Sequence, residues 1–332
     1  MTNMSTIGTG ATLLFSAFTG RRIPLIVGWA ITNRCNASCS YCQWPQKESE
    51  EAPTARALEL VAQMAASGTR HIVFSGGEPF LRKDLPEILS ACKEKGMFVA
   101  VDTNGALVPS RTECLSKIDL VQISLDGPKS IDDEQRGEGS FEKADQAVSV
   151  CCEAGVPIAI NTTLTRHNLG HVKWLLEYAA RHGATVDFQP VHGVHADEET
   201  VAPLIPPVED YRRTIDELAQ LKKKGAPVSN SIACLSHLKR FPDPTPIRCS
   251  AGKFIVRVDP QHVLFPCNMM RGKRDWPSAD SLGFAEAFRQ MPQVSCEHCW
   301  CSATVEFNLI TSGNISAIRN RLRLIRMRRP NS

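Results

Sequence analysis

The sequence predicts an α/β fold, a parallel sheet of six strands with helices outside it, followed by a small cysteine-rich region and terminal helices. Three observations predict it. Apolar runs of strand length alternate six times with helix-length segments closed by glycine, the order of repeated βα units. The residues with the most evident chemistry fall just after the first four of these strands, on one rim of the sheet. Five of the thirteen cysteines gather after residue 248, where the alternation has stopped.

Residues 1–24 read as a Ser/Thr/Gly-rich lead-in with one apolar patch at Leu13, Leu14 and Phe15. Residues 25–32 are a continuous apolar run, as a buried parallel strand requires, and end just before the first cysteine. Thr54 is placed to cap a helix running to about Ser67, with Gly68 as its stop. Strand two, 71–75, leads into Gly76-Gly77-Glu78-Pro79. Asp84 and Glu87 have the spacing of a capping box for the next helix, which Gly96 closes before strand three at 97–102. A weaker helix at 110–117 precedes strand four at 120–125. Ser140 opens a helix closed by Gly155, and Asn168 one closed by Gly183, ahead of strands five (157–163) and six (185–190). The expected organisation is therefore a barrel at 25–207, a helical connector at 208–248, a cysteine-rich unit at 249–302 and a basic terminal helix region at 303–332.

At 332 residues the chain is long enough for one barrel of ordinary size and a small appendage. Its 42% hydrophobic and 22% charged content fit a soluble globular protein, and no apolar run is long enough to span a membrane. The net charge of +3 hides an asymmetry, because residues 313–332 carry six arginines and no acid. One short basic run is too little surface for nucleic acid, so no such partner is expected. Cysteines in ligand-like spacings, with no secretory signal read at the start, point to a reducing cytoplasm.

The densest signal is Cys35, Cys39 and Cys42, spaced C-x3-C-x2-C. Thiolates in that pattern suit an iron–sulfur cluster or zinc. A closed site of either kind wants four protein ligands, and no fourth cysteine follows until Cys92, so a cluster with one iron left open is the economical reading. Spacing alone does not exclude zinc. Gly76 and Gly77 lack side chains and permit close approach of backbone amides to a ligand, and Glu78 can accept hydrogen bonds from an ammonium group. Cys92, Cys114, Cys151, Cys152 and Cys234 lack metal spacing and read as ordinary thiols in helices.

Together, the cysteine triplet with Tyr41 inside it, Gly76-Gly77-Glu78-Pro79, Thr103-Asn104-Gly105 and Ser124-Leu125-Asp126-Gly127 resemble, in kind and order, the radical S-adenosylmethionine (SAM) enzymes. The resemblance implies an open partial (β/α)6 barrel. It implies a 4Fe–4S cluster on Cys35, Cys39 and Cys42 whose open iron is chelated by SAM. One electron would then split SAM into methionine and a 5′-deoxyadenosyl radical that abstracts hydrogen from an unactivated C–H bond. By the same resemblance, Glu78 would bind the SAM amino group, with Gly76, Gly77 and Pro79 shaping that turn, and Tyr41 would lie near the adenine. Ser124 and Asp126 would contact the ribose or methionine part, Arg136 the carboxylate, and Asn104 is a softer candidate for the same site. A reductant such as flavodoxin or ferredoxin is implied.

Cys249, Cys267, Cys296, Cys299 and Cys301 resemble the SPASM/twitch extension of the same enzymes. That implies one auxiliary 4Fe–4S cluster on Cys249, Cys267, Cys296 and Cys299, with Cys301 a bystander or substitute. His262 stands where those proteins often have glycine, and zinc is the rival metal. Gln189, His192 and His195, at or just beyond strand six, are candidates to face substrate. The short lead-in favours a non-peptide substrate, a lipid, an isoprenoid or another small metabolite, over a peptide matured by modification. A stripe of Ile315, Ile318, Leu322 and Ile325 among arginines favours peripheral membrane contact. An electron carrier and a zinc-stapled binding module are the non-catalytic alternatives, and neither needs the barrel or Gly76–Pro79.

Overall fold

A computed structural model of the chain describes residues 20–44, 50–193, 196–292, 294, 296 and 298–327. The six expected strands are β1 (Ile26–Thr32), β2 (His71–Gly76), β3 (Phe98–Thr103), β4 (Leu120–Ser124), β5 (Ile158–Leu164) and β6 (Thr185–Pro190). Each pairs in parallel with the next. Helices α1 (Thr54–Ala66), α2 (Leu85–Glu94), α3 (Lys129–Arg136), α4 (Ser140–Glu153) and α5 (Val172–Arg181) make the crossovers. The weak helix expected at 110–117 is a 3-10 turn, Thr112–Lys117.

One face of every strand packs on helices. Val27, Trp29 and Ile31 of β1 are fully buried in one cluster with Leu60, Val61 and Met64 of α1, and the Trp29 and Phe74 rings lie 5.7 Å apart. Burying such side chains is worth about 1.5–3 kcal/mol each. The other face has only a small apolar floor, Ala100, Leu120 and Ala159, near the start of the strands. Above that floor, Asp102, Gln122, Asn161, Asp187 and Gln189 are only half-buried, so the interior is not filled by side chains.

The sheet has two strands more than expected. Its order is β6-β5-β4-β3-β2-β1-β7-β8, with β7 (Ile255–Val258) parallel to β1 and β8 (Leu264–Phe265) antiparallel to β7. This hairpin thus caps the free edge of β1, whose unpaired backbone groups needed partners. The β6 edge is covered too. Val186 donates to Pro227 O (2.8 Å) and accepts from Ser229 N (2.8 Å). Two connector helices, α7 (Val208–Lys223) and α8 (Ile232–Leu238), follow a short α6 (Glu198–Val201). Short helices α9 (Ala279–Leu282) and α10 (Phe284–Gln290) lead to the terminal pair, α11 (Ser302–Thr311) and α12 (Ile315–Met327).

Four expected caps do not form as drawn. The Thr54 hydroxyl donates to Asp84 Oδ2 (2.7 Å), and Asp84 is further engaged by buried Arg82 (Nε–Oδ1 2.7 Å), so neither side chain caps its helix. Arg82 also reaches Ala52 O (2.8 Å) and Ile31 O (3.2 Å), tying the end of β1 to the starts of α1 and α2. Left-handed Gly139 stands at the N-cap of α4, while Ser140 donates to Asp132. Asn168 precedes a 3-10 turn and α5 begins at Val172; its amide instead bonds Asp126 O (3.0 Å) and Thr163 O (2.8 Å).

Most of the apolar stripe of α12 faces outward. Ala317, Asn320 and Leu324 face inward, and Ile315, Ile318 and Leu322 are exposed. Asn320 turns in because it bridges Lys222 Nζ (2.8 Å), Ser229 O (2.7 Å) and Glu306 Oε1 (3.1 Å). No helix among the described residues is long and apolar enough to cross a membrane.

Candidate active site

The cysteine triplet leaves the carboxyl end of β1, and the turn after β2 holds its start. Gly77 N donates to Thr32 O (2.9 Å) and Glu78 N to Arg34 O (2.8 Å). A Cβ on Gly77 would sit 2.0 Å from Arg34 O, and one on Gly76, at φ +124°, 2.2 Å from Thr32 O. Both glycines are therefore dictated by backbone meeting backbone. The amides of Gly77 and Glu78 are committed to protein carbonyls, which corrects the expectation that amides of this turn approach a ligand. Pro79 opens a 3-10 turn, Pro79–Leu81, where its missing N–H costs nothing.

Glu78 is fully buried. It accepts from Thr103 Oγ1 (2.8 Å), Phe80 N (3.2 Å) and Asn104 N (2.8 Å). Burial pushes its carboxyl up to about 7 although these donors oppose the rise. A carboxylate offers about four lone-pair positions, so one remains for a cationic donor. Asn104 donates to Asn36 Oδ1 (2.8 Å) and lies 3.9 Å from Cys35 Sγ, joining the turn after β3 to the cysteine loop.

Tyr41, Asp126 and Arg136 form a buried set. Tyr41 OH donates to Asp126 Oδ2 (2.5 Å), and Arg136 donates to the Tyr41 oxygen and lies 3.4 Å from Asp126 Oδ2. Asp126 Oδ1 is taken by Thr163 N (2.8 Å), and Asp126 N donates to Asp132 Oδ1 (2.7 Å). Both oxygens of Asp126 are thus used inside the protein, so it positions Tyr41 and Arg136 rather than presenting itself to a ligand. Arg136 ends α3, and with Asn36, Ser38, Asn104 and Lys143 it lines a small cleft of about 90 Å³. Ser124 faces the interior opposite Asn161. Gln189 faces it from β6, His192 follows that strand half-buried, and His195 lies outside the described residues.

The first three thiols suit a soft metal centre. Burial raises all three above the usual thiol range, Cys42 to about 11, and Cys39 adds to the rise at both Cys35 and Cys42. Buried thiols whose ionised forms repel one another become good ligands once a cluster supplies positive charge. The same holds for the second group. Burial raises Cys267 to about 11, with Cys301 and Cys249 adding to the rise. It raises Cys299 as well, with contributions from Cys301, Cys267 and Cys249, while Cys249 also feels Cys296. Cys296 is exposed, and Cys301 sits at the N-cap of α11. All thirteen thiols are free, and among the described residues no three Cys, His, Asp or Glu side chains converge on a single-ion site. Sequence reasoning missed the roles of Arg82 and Asn168, which reach partners thirty to fifty-one residues away, and of Asp132, which holds Asp126 N and Ser140 across a local turn.

Residues 29–179 match the family model described as the Radical SAM superfamily. The Fe-coproporphyrin III synthase of Methanosarcina barkeri is 35% identical over 46% of this chain and 40% of its own length. The PqqA peptide cyclase of Granulibacter bethesdensis is 28% identical over 81% of this chain and 78% of its own. In fold, the chain is similar to Streptococcus suis SuiB in a structure bound to the precursor peptide SuiA (TM-score 0.67, 15% identity, 80% of this chain and 65% of that one). Coverage of these relatives is uneven, since the chain spans less than half the length of the synthase and most of that of the cyclase.

Proposed function

The chain belongs to the radical SAM superfamily, whose cofactors are a 4Fe–4S cluster and SAM, and from that premise we propose that it is a peptide-modifying enzyme. The observation that carries the substrate class is the similarity to a peptide cyclase over 81% of the chain, well beyond the barrel. This corrects the non-peptide reading. A lipid or isoprenoid substrate was favoured by the short lead-in, but relatives aligned over about three quarters of the chain or more are peptide cyclases and a mycofactocin maturase. The synthase match spans only 46% of the chain.

In this reading Cys35, Cys39 and Cys42 hold the cluster, which supplies the electron that breaks a C–S bond of SAM. Glu78 receives the SAM ammonium at its remaining acceptor position, and the cation offsets the cost of keeping that carboxylate charged while buried. Arg136, fixed by Tyr41 and Asp126, faces the SAM carboxylate across the cleft. The chemistry the bound cluster and SAM would supply is abstraction of a hydrogen atom from a C–H bond of the peptide, with SAM leaving as methionine and 5′-deoxyadenosine. The second cysteine group holds an auxiliary cluster through Cys249, Cys267, Cys296 and Cys299. A one-electron protein reductant such as flavodoxin or ferredoxin completes the system in a reducing cytoplasm. The exposed Ile315, Ile318 and Leu322 among arginines extend the reading to peripheral contact with anionic membrane; equal sedimentation of wild type and Leu322→Asp with anionic vesicles would remove that extension.

The test of the reading is anaerobic co-expression with short peptides encoded beside the gene, followed by mass spectrometry. A peptide that loses hydrogens only when Cys35, Cys39 and Cys42 are intact supports it. Conversion of a tetrapyrrole, with every peptide unchanged, would replace it.

A further inference from the structure

The hollow interior of the barrel holds two charged groups that the SAM site does not use. Asp102 projects from β3 and Arg257 from β7, both on the inner face. Gly28 of β1 makes room for the arginine, since a Cβ there would sit 1.9 Å from Arg257 Nη1. Asp102 Oδ1 is engaged by Gln122, its register partner on β4. Among the described residues no hydrogen bond reaches Asp102 Oδ2 and the Arg257 side chain makes none; its charge is felt by Asp102 and by Cys267, but it forms no ion pair with either. Asp187, across the interior, is different in kind. Its oxygens are filled by Ser229 (3.0 Å), Asn230 (3.1 Å) and Ser302, so it belongs to the wall.

Unpaired charges inside a protein are costly unless a partner arrives. Here an acceptor and a donor fork face the same space, which side chains leave unfilled. The group that answers both is one carrying an N–H and a C=O together, an amide. We propose that Asp102 and Arg257 anchor a backbone amide of the substrate peptide inside the barrel, Asp102 accepting its N–H and Arg257 donating to its C=O. The proposal rests on the peptide reading above. Burial lifts the Asp102 carboxyl to about 6, against the pull of Gln122 and Arg257, so at neutral pH it is mostly the charged acceptor. Two bonds to charged partners also fix the orientation of an extended peptide, which selects the C–H bond presented to the radical.

The test uses reconstituted protein with SAM and two probes, hexaglycine capped by acetyl and dimethylamide groups and the corresponding hexasarcosine, which lacks N–H groups. Hexaglycine is expected to bind and hexasarcosine not. Asp102→Asn and Arg257→Gln should each weaken hexaglycine by about tenfold or more, the scale of one hydrogen bond to a charged group. Arg257→Lys should recover part of the loss. Gly28→Ala, which displaces the guanidinium without removing its charge, should weaken binding too, keeping the test open if one variant misfolds. Wild-type affinity in both Asp102→Asn and Arg257→Gln, equal binding of the two probes, or no binding of hexaglycine would each overturn the anchor. The peptide reading stands or falls separately, on the modified peptide found by mass spectrometry.

Discussion

Glu78 is a scaffold group to which the proposed function adds a binding role. Its three donors tie the turns after β2 and β3 together, and its elevated carboxyl pKa makes it receptive to a cation. Glu78→Ala is therefore expected to weaken SAM about tenfold or more while iron content stays near wild type. An unchanged dissociation constant for SAM would take Glu78 out of the site. Gly77→Ala should have the opposite signature, because the new Cβ meets Arg34 O, a backbone atom that cannot swing aside. Loss of iron from the first site is the expected outcome, and full iron would show that the cysteine loop tolerates the shift. Cys35, Cys39, Cys42, Glu78 and Tyr41 could be singled out in the sequence because short local motifs carry them. The wall-building role of Asp126 could not be read there, since its partners Tyr41 and Thr163 lie 85 and 37 residues away.

At the level of elements, strand and helix order was readable because each βα unit is a local pattern of apolar run and glycine stop. Side-chain caps were not, because Asp84 meets buried Arg82, and a charge-assisted pair outcompetes a cap. The joining of β7 to β1 is a contact over more than two hundred residues, and nothing in either segment announces it. In helix α12 the apolar stripe does not mark the packed face. Its inward face centres on Asn320, which satisfies Lys222, Glu306 and Ser229 O, so a polar residue is buried while isoleucines stay outside. Asn320→Ala is expected to cost about 1–3 kcal/mol by leaving those groups unpaired. Ile318→Ala, on the exposed side, should fall within about 0.5 kcal/mol of wild type in the same denaturation series. The reverse ranking would mean that α12 packs through its apolar stripe.

For the molecule as a whole, the barrel and the cysteine-rich segment are one construction. β7 and β8 extend the sheet just before Cys267, and α11, which starts after Cys301, closes the β6 side through Ser302 and Asp187. Metal content should nevertheless divide cleanly, because the two thiol groups draw their raised pKa values from separate neighbours. Anaerobically reconstituted protein is expected to hold about eight irons, two four-iron clusters. Replacing Cys35, Cys39 and Cys42 together by Ala should remove about half of them and abolish 5′-deoxyadenosine formation. Cys267→Ala should lose or loosen the other half, whereas Cys301→Ala should keep it if Cys296 and Cys299 are the chelating pair. Zinc in place of the second cluster after anaerobic purification would defeat the auxiliary assignment alone. Continued 5′-deoxyadenosine formation by the triple variant would defeat the first, the proposed site of SAM cleavage.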